Sequence, residues 1–181
     1  MDKFYEKTLR TKQIFNGKII DVRVDDVLLP DGNESKREIV KHPGAVAVIP
    51  ITEDNKIIFV EQFRKPLERS LIEIPAGKIE QNEKPEITAV RELEEETGYT
   101  TEQLEYVTSF YTSPGFANEI IHLYFTDKLV KLEEVVPGDG DEFVEIYELT
   151  MLEALELIDN HKIYDAKTMY AINYLQLKGM S

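Results

Sequence analysis

The chain has no cysteine and no tryptophan. Without thiols, disulfides, thiolate nucleophiles and cysteine-bound zinc are excluded, and a cytoplasmic setting is expected. Without tryptophan, stacking on a base has to come from arginine, phenylalanine or tyrosine. Long apolar runs are missing as well. The longest nearly apolar stretch, residues 44 to 51, is far short of the roughly 20 residues a bilayer helix needs, so no membrane span is expected. The first seven residues mix charges and carry no apolar signal core. Positive charge is scarce: 21 lysines and arginines stand against 35 acidic residues, for a net charge of -14. A nucleic-acid backbone would meet a repulsive average field, which argues against that partner. A small phosphate compound would need cations supplied locally. No internal repeat, low-complexity tract or long linker is present.

What is there fits one catalytic domain with a small appendage: 181 residues, 42% of them hydrophobic, are enough for a sizeable core. Residues 13–15 and 19–24 are β-rich and separated by the turn signal Asn16-Gly17. Pro30-Asp31-Gly32-Asn33 predicts a second turn. Strands are expected over 37–41, 45–51, 56–63, 71–74, 104–111, 119–126 and 143–149, and helices over 85–97, 151–160 and 165–178. The order predicts an α+β or mixed-sheet sandwich. Residues 129 to 142 form the longest irregular connection, a length that is often functional.

The segment 85–97 has both ends marked, with Pro85 suited to the first turn and Gly98 to the position just past the last. At 100° per residue, Ala89, Val90, Leu93 and Thr97 form the core-facing side. Glu92, Glu95 and Glu96 share an arc of about 100° roughly opposite, and Glu94 points elsewhere. Like charges at these spacings repel, and a helix C-terminus makes them worse neighbours still. Two readings follow: a solvated acidic face, or a site for a hard divalent metal such as Mg²⁺ or Mn²⁺ bridging to phosphate oxygens.

Spacing around the helix decides between them. From Gly77 the chain runs five residues to Glu83, then seven to Arg91-Glu92-Leu93-Glu94-Glu95-Glu96-Thr97-Gly98-Tyr99. This resembles the Nudix box: Gly, five residues, Glu, seven residues, Arg-Glu, an aliphatic residue, any residue, Glu-Glu, any residue, Gly, then an aliphatic residue. All seven fixed positions match, and Tyr99 at the last apolar place is the one departure. The resemblance implies an α+β Nudix fold, a mixed β-sheet sandwiched between helices (α/β/α), hydrolysing a nucleoside diphosphate compound with bound Mg²⁺ or Mn²⁺. It implies Glu92 and Glu96 as the main metal-binding carboxylates, Glu95 as a further contributor and the carbonyl of Ala76 as a backbone ligand. Arg91 and Glu83 resemble the pair that braces the loop against the helix.

The box does not fix the substrate. Pro114, sixteen residues after Gly98 within Thr112-Ser113-Pro114-Gly115-Phe116, resembles the ADP-ribose pyrophosphatase subgroup, although an ordinary proline-glycine turn explains the dipeptide equally well. Gln62-Phe63-Arg64, Glu73-Ile74-Pro75-Ala76-Gly77 and residues 138–145 each resemble segments of that subgroup, as does Arg37-Glu38. The implied substrate contacts are Arg37, Glu38, Arg64, Glu73 and Gly115. Arg64 offers a planar fork for a diphosphate oxygen, against a plain surface arginine. Glu73 can accept from ribose hydroxyls, or pair with a neighbour. Arg37 over an adenine face with Glu38 accepting from its amino group competes with a plain edge-strand charge pair. The resemblance places the general base for the attacking water at Glu142, with Asp141 as the substitute, against a solvated acidic loop.

The expected reaction is cleavage of ADP-ribose to AMP and ribose 5-phosphate. The rivals are a Nudix hydrolase of other nucleotide sugars or dinucleotides, and a non-catalytic ADP-ribose sensor. In the subgroup a β extension like residues 1–42 exchanges between subunits ahead of a hydrolase domain like 43–181, so a homodimer is expected.

Overall fold

A computed structural model describes residues 2–134 and 143–180. The chain divides into two compact units, one of residues 1–44 with 110–120 and the other of residues 45–109 with 121–181. Sequence order alone gives no sign that 110–120 joins the first unit.

The first unit is an antiparallel sheet of β1 (Lys7–Asn16), β2 (Asp21–Leu28) and β3 (Glu34–Lys41), with β2 in the middle. The turn after Asn16 is longer than the dipeptide predicts. Asn16 lies opposite Asp21, and Gly17 N–H donates to the carbonyl of Ile20, so Ile19 and Ile20 belong to a loop rather than to the expected strand. All ten residues of β1 are exposed, Leu9, Ile14 and Phe15 among them.

The second unit holds β4 (Ala45–Pro50), β5 (Ile57–Arg64), β6 (Arg69–Glu73), β7 (Ala76–Lys78), α1 (Pro85–Thr97), β8 (Tyr99–Thr100), β9 (Glu105–Tyr111) and β10 (Ile120–Thr126) apart from Phe110, Tyr111 and Ile120, β11 (Val130–Lys131), β12 (Glu145–Leu149), α2 (Met151–Asp159) and α3 (Ala166–Leu177). The strand order β7-β4-β10-β9 makes a mixed sheet, parallel between β4 and β10 and antiparallel between β4 and β7. A second sheet, β12-β5-β6, is antiparallel. β8 and β11 form a short ladder, so the stretch expected to be irregular from 129 begins with a paired strand.

Strand β4 is covered on both faces, which is why it reads as an unbroken apolar run rather than an alternating one. Its Val46 and Val48 pack with Ala89 and Leu93 of α1 and Tyr124 of β10. Helix α1 is thereby anchored by its apolar stripe and terminated by Gly98, whose φ of 70° lets its N–H reach the Glu94 carbonyl. No helix among the described residues is long and apolar enough to cross a membrane.

Helix α2 begins with a capping box. The Thr150 hydroxyl accepts from Glu153 N–H at 3.3 Å, and the Glu153 carboxylate accepts from Thr150 N–H at 2.8 Å. Thr150→Ala removes half of this exchange and is expected to lower the unfolding free energy by about 1 kcal/mol, read as a lower urea midpoint at unchanged m-value.

Candidate functional site

The acidic face of α1 is not a solvated one. Glu92 is 8% and Glu96 5% exposed. They lie beneath the segment that runs from Glu73 through β7, a long-range partner that the helix's own periodicity does not reveal. Gly77 shows how close the approach is. A Cβ added there would stand 1.9 to 2.2 Å from the carboxylate atoms of Glu92, so only hydrogen fits, which is the physical reason for the first glycine of the motif.

Glu96 is held from two sides. Its Oε2 accepts from Ala76 N–H at 2.9 Å, and its Oε1 accepts from the Gln62 side-chain amide at 3.1 Å. Gln62 is itself buried, and its Oε1 has no hydrogen-bond partner among the described residues. Glu94 is turned away, accepting from the Thr100 hydroxyl at 2.5 Å.

Arg91 ties the loop to the helix. Its Nε and Nη2 donate to the two oxygens of Glu83 at 3.1 and 3.0 Å, and Nη2 also reaches the Lys78 carbonyl at 3.2 Å. Its Nη1 lies between Glu92 and Glu95, at 2.8 and 3.0 Å. The Arg91 hydrogen bonds hold the Glu83 carboxyl down at about 2, and Glu83 together with Glu92 raises the Arg91 guanidinium.

With Glu92 and Glu95 drawn onto Arg91, no group of three or more His, Asp or Glu among the described residues stands ready-arranged around a metal ion. The donor chemistry nevertheless suits a hard cation: Glu92 and Glu95 share one guanidinium nitrogen, and Glu96 lies against the Ala76 backbone. The point between Glu92 and Glu95 already draws positive charge, and an unpartnered amide oxygen is buried next to Glu96.

Beside this cluster lies a second one, in which Arg64 and Glu73 are partners. Arg64 does not present an open fork: its Nε and Nη2 donate to Glu73 Oε1 and Oε2, both at 2.8 Å, leaving Nη1 with no acceptor among the described residues. Glu73, at 3% exposure, also accepts from Lys167 Nζ, so it pairs with its neighbours, the second of the two readings its sequence position allows. Burial pushes the Glu73 carboxyl up, but Arg64 and Lys167 outweigh it and hold the group at about 2. Lys167, unremarked in the sequence, also reaches Asp165 at 3.0 Å.

Because Glu73 sits below its ordinary value of 4.5, the folded state gains from its ionisation at pH values above 4.5 and loses that gain as pH falls toward 2. The contribution is about 3 kcal/mol. Urea unfolding of Glu73→Gln is therefore expected to show a large deficit against wild type at pH 7 that narrows steadily below pH 4.5. A deficit independent of pH would mean that the charge of Glu73 is not what stabilises.

The remaining expected contacts are not brought onto one surface. Arg37 and Glu38 are successive residues of β3, so their side chains leave opposite faces of the sheet and do not grip one base together. Arg37 donates to both oxygens of Glu6, at 2.8 and 2.5 Å. Gly115 is exposed in a turn where Phe116 and Ala117 N–H donate to the Ser113 carbonyl. Glu142 and Asp141 lie outside the described residues.

Comparison with known proteins agrees with this geometry. The NUDIX domain family model matches residues 41–171, and the nucleoside diphosphate sugar hydrolase N-terminal domain model matches residues 6–40. The chain is 60% identical to an ADP-ribose pyrophosphatase of Bacillus subtilis over 98% of its own length and 96% of the relative's. It is 61% identical to a methanol dehydrogenase activator of Bacillus methanolicus, over 97% and 95%. A crystal structure of an ADP compounds hydrolase superposes with a TM-score of 0.83, covering 97% of both chains at 18% identity, which is a likeness of fold.

Proposed function

Since the chain belongs to the Nudix hydrolase family, whose members depend on divalent metal ions, we propose that it hydrolyses the diphosphate of ADP-ribose to AMP and ribose 5-phosphate, with Mg²⁺ as the metal. The observation that carries the reading is the buried pair Glu92 and Glu96, packed under Gly77 with Ala76 N–H on Glu96. Like charges buried on one helix face call for cations, and Arg91 Nη1, shared between Glu92 and Glu95, marks where positive charge is drawn to that face. Support for the substrate comes from the full-length similarity to a relative named ADP-ribose pyrophosphatase.

In this proposal Glu92, Glu95, Glu96 and the Ala76 carbonyl hold the metal. When bound, it neutralises charge on the phosphate oxygens and lowers the pKa of a coordinated water. Arg91 and Glu83 keep the loop seated on α1. Arg64, steadied by Glu73, offers Nη1 to a diphosphate oxygen. Glu142 takes the proton from the attacking water, and Gly115, Arg37 and Glu38, the last two from opposite faces of β3, contact the substrate at separate points, on the strength of the subgroup resemblance. The enzyme acts in the cytoplasm as a homodimer joined through its N-terminal extension.

The test is a phosphate-release assay with coupled phosphatase, with and without Mg²⁺, against a panel of nucleoside diphosphate compounds. ADP-ribose is expected to lead the panel. Comparable turnover of many members would replace this reading with a broad-specificity hydrolase, and binding without turnover of any member would replace it with a sensor.

A further inference from the structure

Lys167 is in an unfavourable place by every local criterion. It is only 9% exposed, so its ammonium is largely stripped of water. It also occupies the second position of α3, in the first turn after the N-cap Asp165, where the helix dipole disfavours a cation. Its compensation is a four-charge cluster. Lys167 Nζ donates to Glu73 and to Asp165, and Glu73 accepts from Arg64 on both oxygens. Asp165 also caps α3 by accepting from Thr168 N–H at 3.2 Å, and the Thr168 hydroxyl accepts from Ile74 N–H at 3.0 Å. The start of α3 is thereby pinned to the segment leading into Ala76, which donates to Glu96.

We propose that Lys167 is a positioning residue for the hydrolytic site: by matching the negative charge of Asp165, it leaves Arg64 paired with Glu73 alone and keeps Arg64 Nη1 free for the substrate's diphosphate. This rests on the role assigned to Arg64 under the proposed function. The charge count carries it. With Lys167 present, two cations face two carboxylates. Without it, Arg64 is the one cation left to Glu73 and Asp165 in the cluster; the guanidinium is attracted by Glu73 first, then by Glu96 and by Asp165. Asp165 Oδ2 is buried with no hydrogen-bond partner among the described residues, ready to draw a donor inward.

The test compares wild type, Lys167→Met and the charge-balanced double variant Asp165→Asn/Lys167→Met; asparagine is as good an N-cap as aspartate, so α3 keeps its start. In Lys167→Met the KM for the best substrate is expected to rise about tenfold with kcat within about threefold, the pattern of a lost binding contact. In the double variant KM is expected to return to within about threefold of wild type. A side chain needed only for packing would not be rescued by a second substitution that adds no bulk. The Nε–Hε signal of Arg64 in ¹⁵N spectra of the substrate-free proteins, assigned with Arg64→Lys, is expected to move in Lys167→Met and return in the double variant. An Arg64 signal unmoved in Lys167→Met, or displaced equally in the double variant, overturns the inference. Because that signal is read without substrate, it decides the matter even if ADP-ribose is not cleaved, an outcome that would overturn the substrate reading alone.

Discussion

Glu96→Gln is expected to reduce AMP formation from ADP-ribose by about a thousandfold or more while leaving the chain folded, because it removes a charge proposed to hold the metal and almost no volume. The neighbours of Glu96 can accept the change. The new side chain keeps one oxygen for Ala76 N–H, and its amide needs an acceptor where Glu96 now accepts from Gln62. Gln62 has one to offer, since rotating its amide would bring the unpartnered Oε1 to that side. Turnover and thermal unfolding measured on the same preparation separate the two effects. A variant that lost its cooperative unfolding would instead make Glu96 a residue of the fold.

Gly77→Ala is the second large effect, and its cause is steric. The added methyl group lands within 2.2 Å of all three terminal atoms of Glu92. These belong to the far end of a flexible side chain, so the chain relieves the clash by turning Glu92 aside rather than by moving backbone. Stability is then expected to change little. The displaced carboxylate leaves the position from which it is proposed to hold the metal and its 2.8 Å contact with Arg91, and a misplacement of this size costs on the order of a hundredfold in kcat/KM. Excess Mg²⁺ should recover part of the loss. Activity at the wild-type level would show that Glu92 is not held by that close approach.

These two residues also mark how far the sequence could be read. The convergence of Glu92, Glu95 and Glu96, and the exclusion of Glu94, follow from local helical geometry, and the structure keeps Glu94 apart on Thr100. The ends of α1 were legible for the same reason, because Pro85 and Gly98 act within one turn. The burial of Glu92 and Glu96 was not legible, since the covering segment pairs with β4 some 30 residues earlier in the chain. Arg64 and Glu73 were singled out as separate ligands. Their side chains are partners although the strand register sets Arg64 opposite Arg69 and Glu73 opposite Val60, and two isolated charges nine residues apart carry no periodic sign of that. Strand alternation alone puts Arg37 and Glu38 on opposite faces, so their joint hold on one base could have been set aside from the sequence. Lys167 did leave a trace, a cation in a helix's first turn directly after an Asp cap, where an anion is the ordinary choice. Gln62 was legible only as part of the Gln62-Phe63-Arg64 likeness, with no role of its own, because a neutral amide inside an apolar strand reads as an interruption.

The most direct measurement is the conversion of ADP-ribose by the unaltered chain, followed by product identification, first with Mg²⁺ and then after its removal with a chelator. Equal amounts of AMP and ribose 5-phosphate in the presence of Mg²⁺, lost on chelation and regained when Mg²⁺ is restored, are the predicted result. Cleavage that continues at the same rate without any divalent ion would contradict the metal-holding role of Glu92 and Glu96. No cleavage of ADP-ribose with Mg²⁺ present would contradict the substrate.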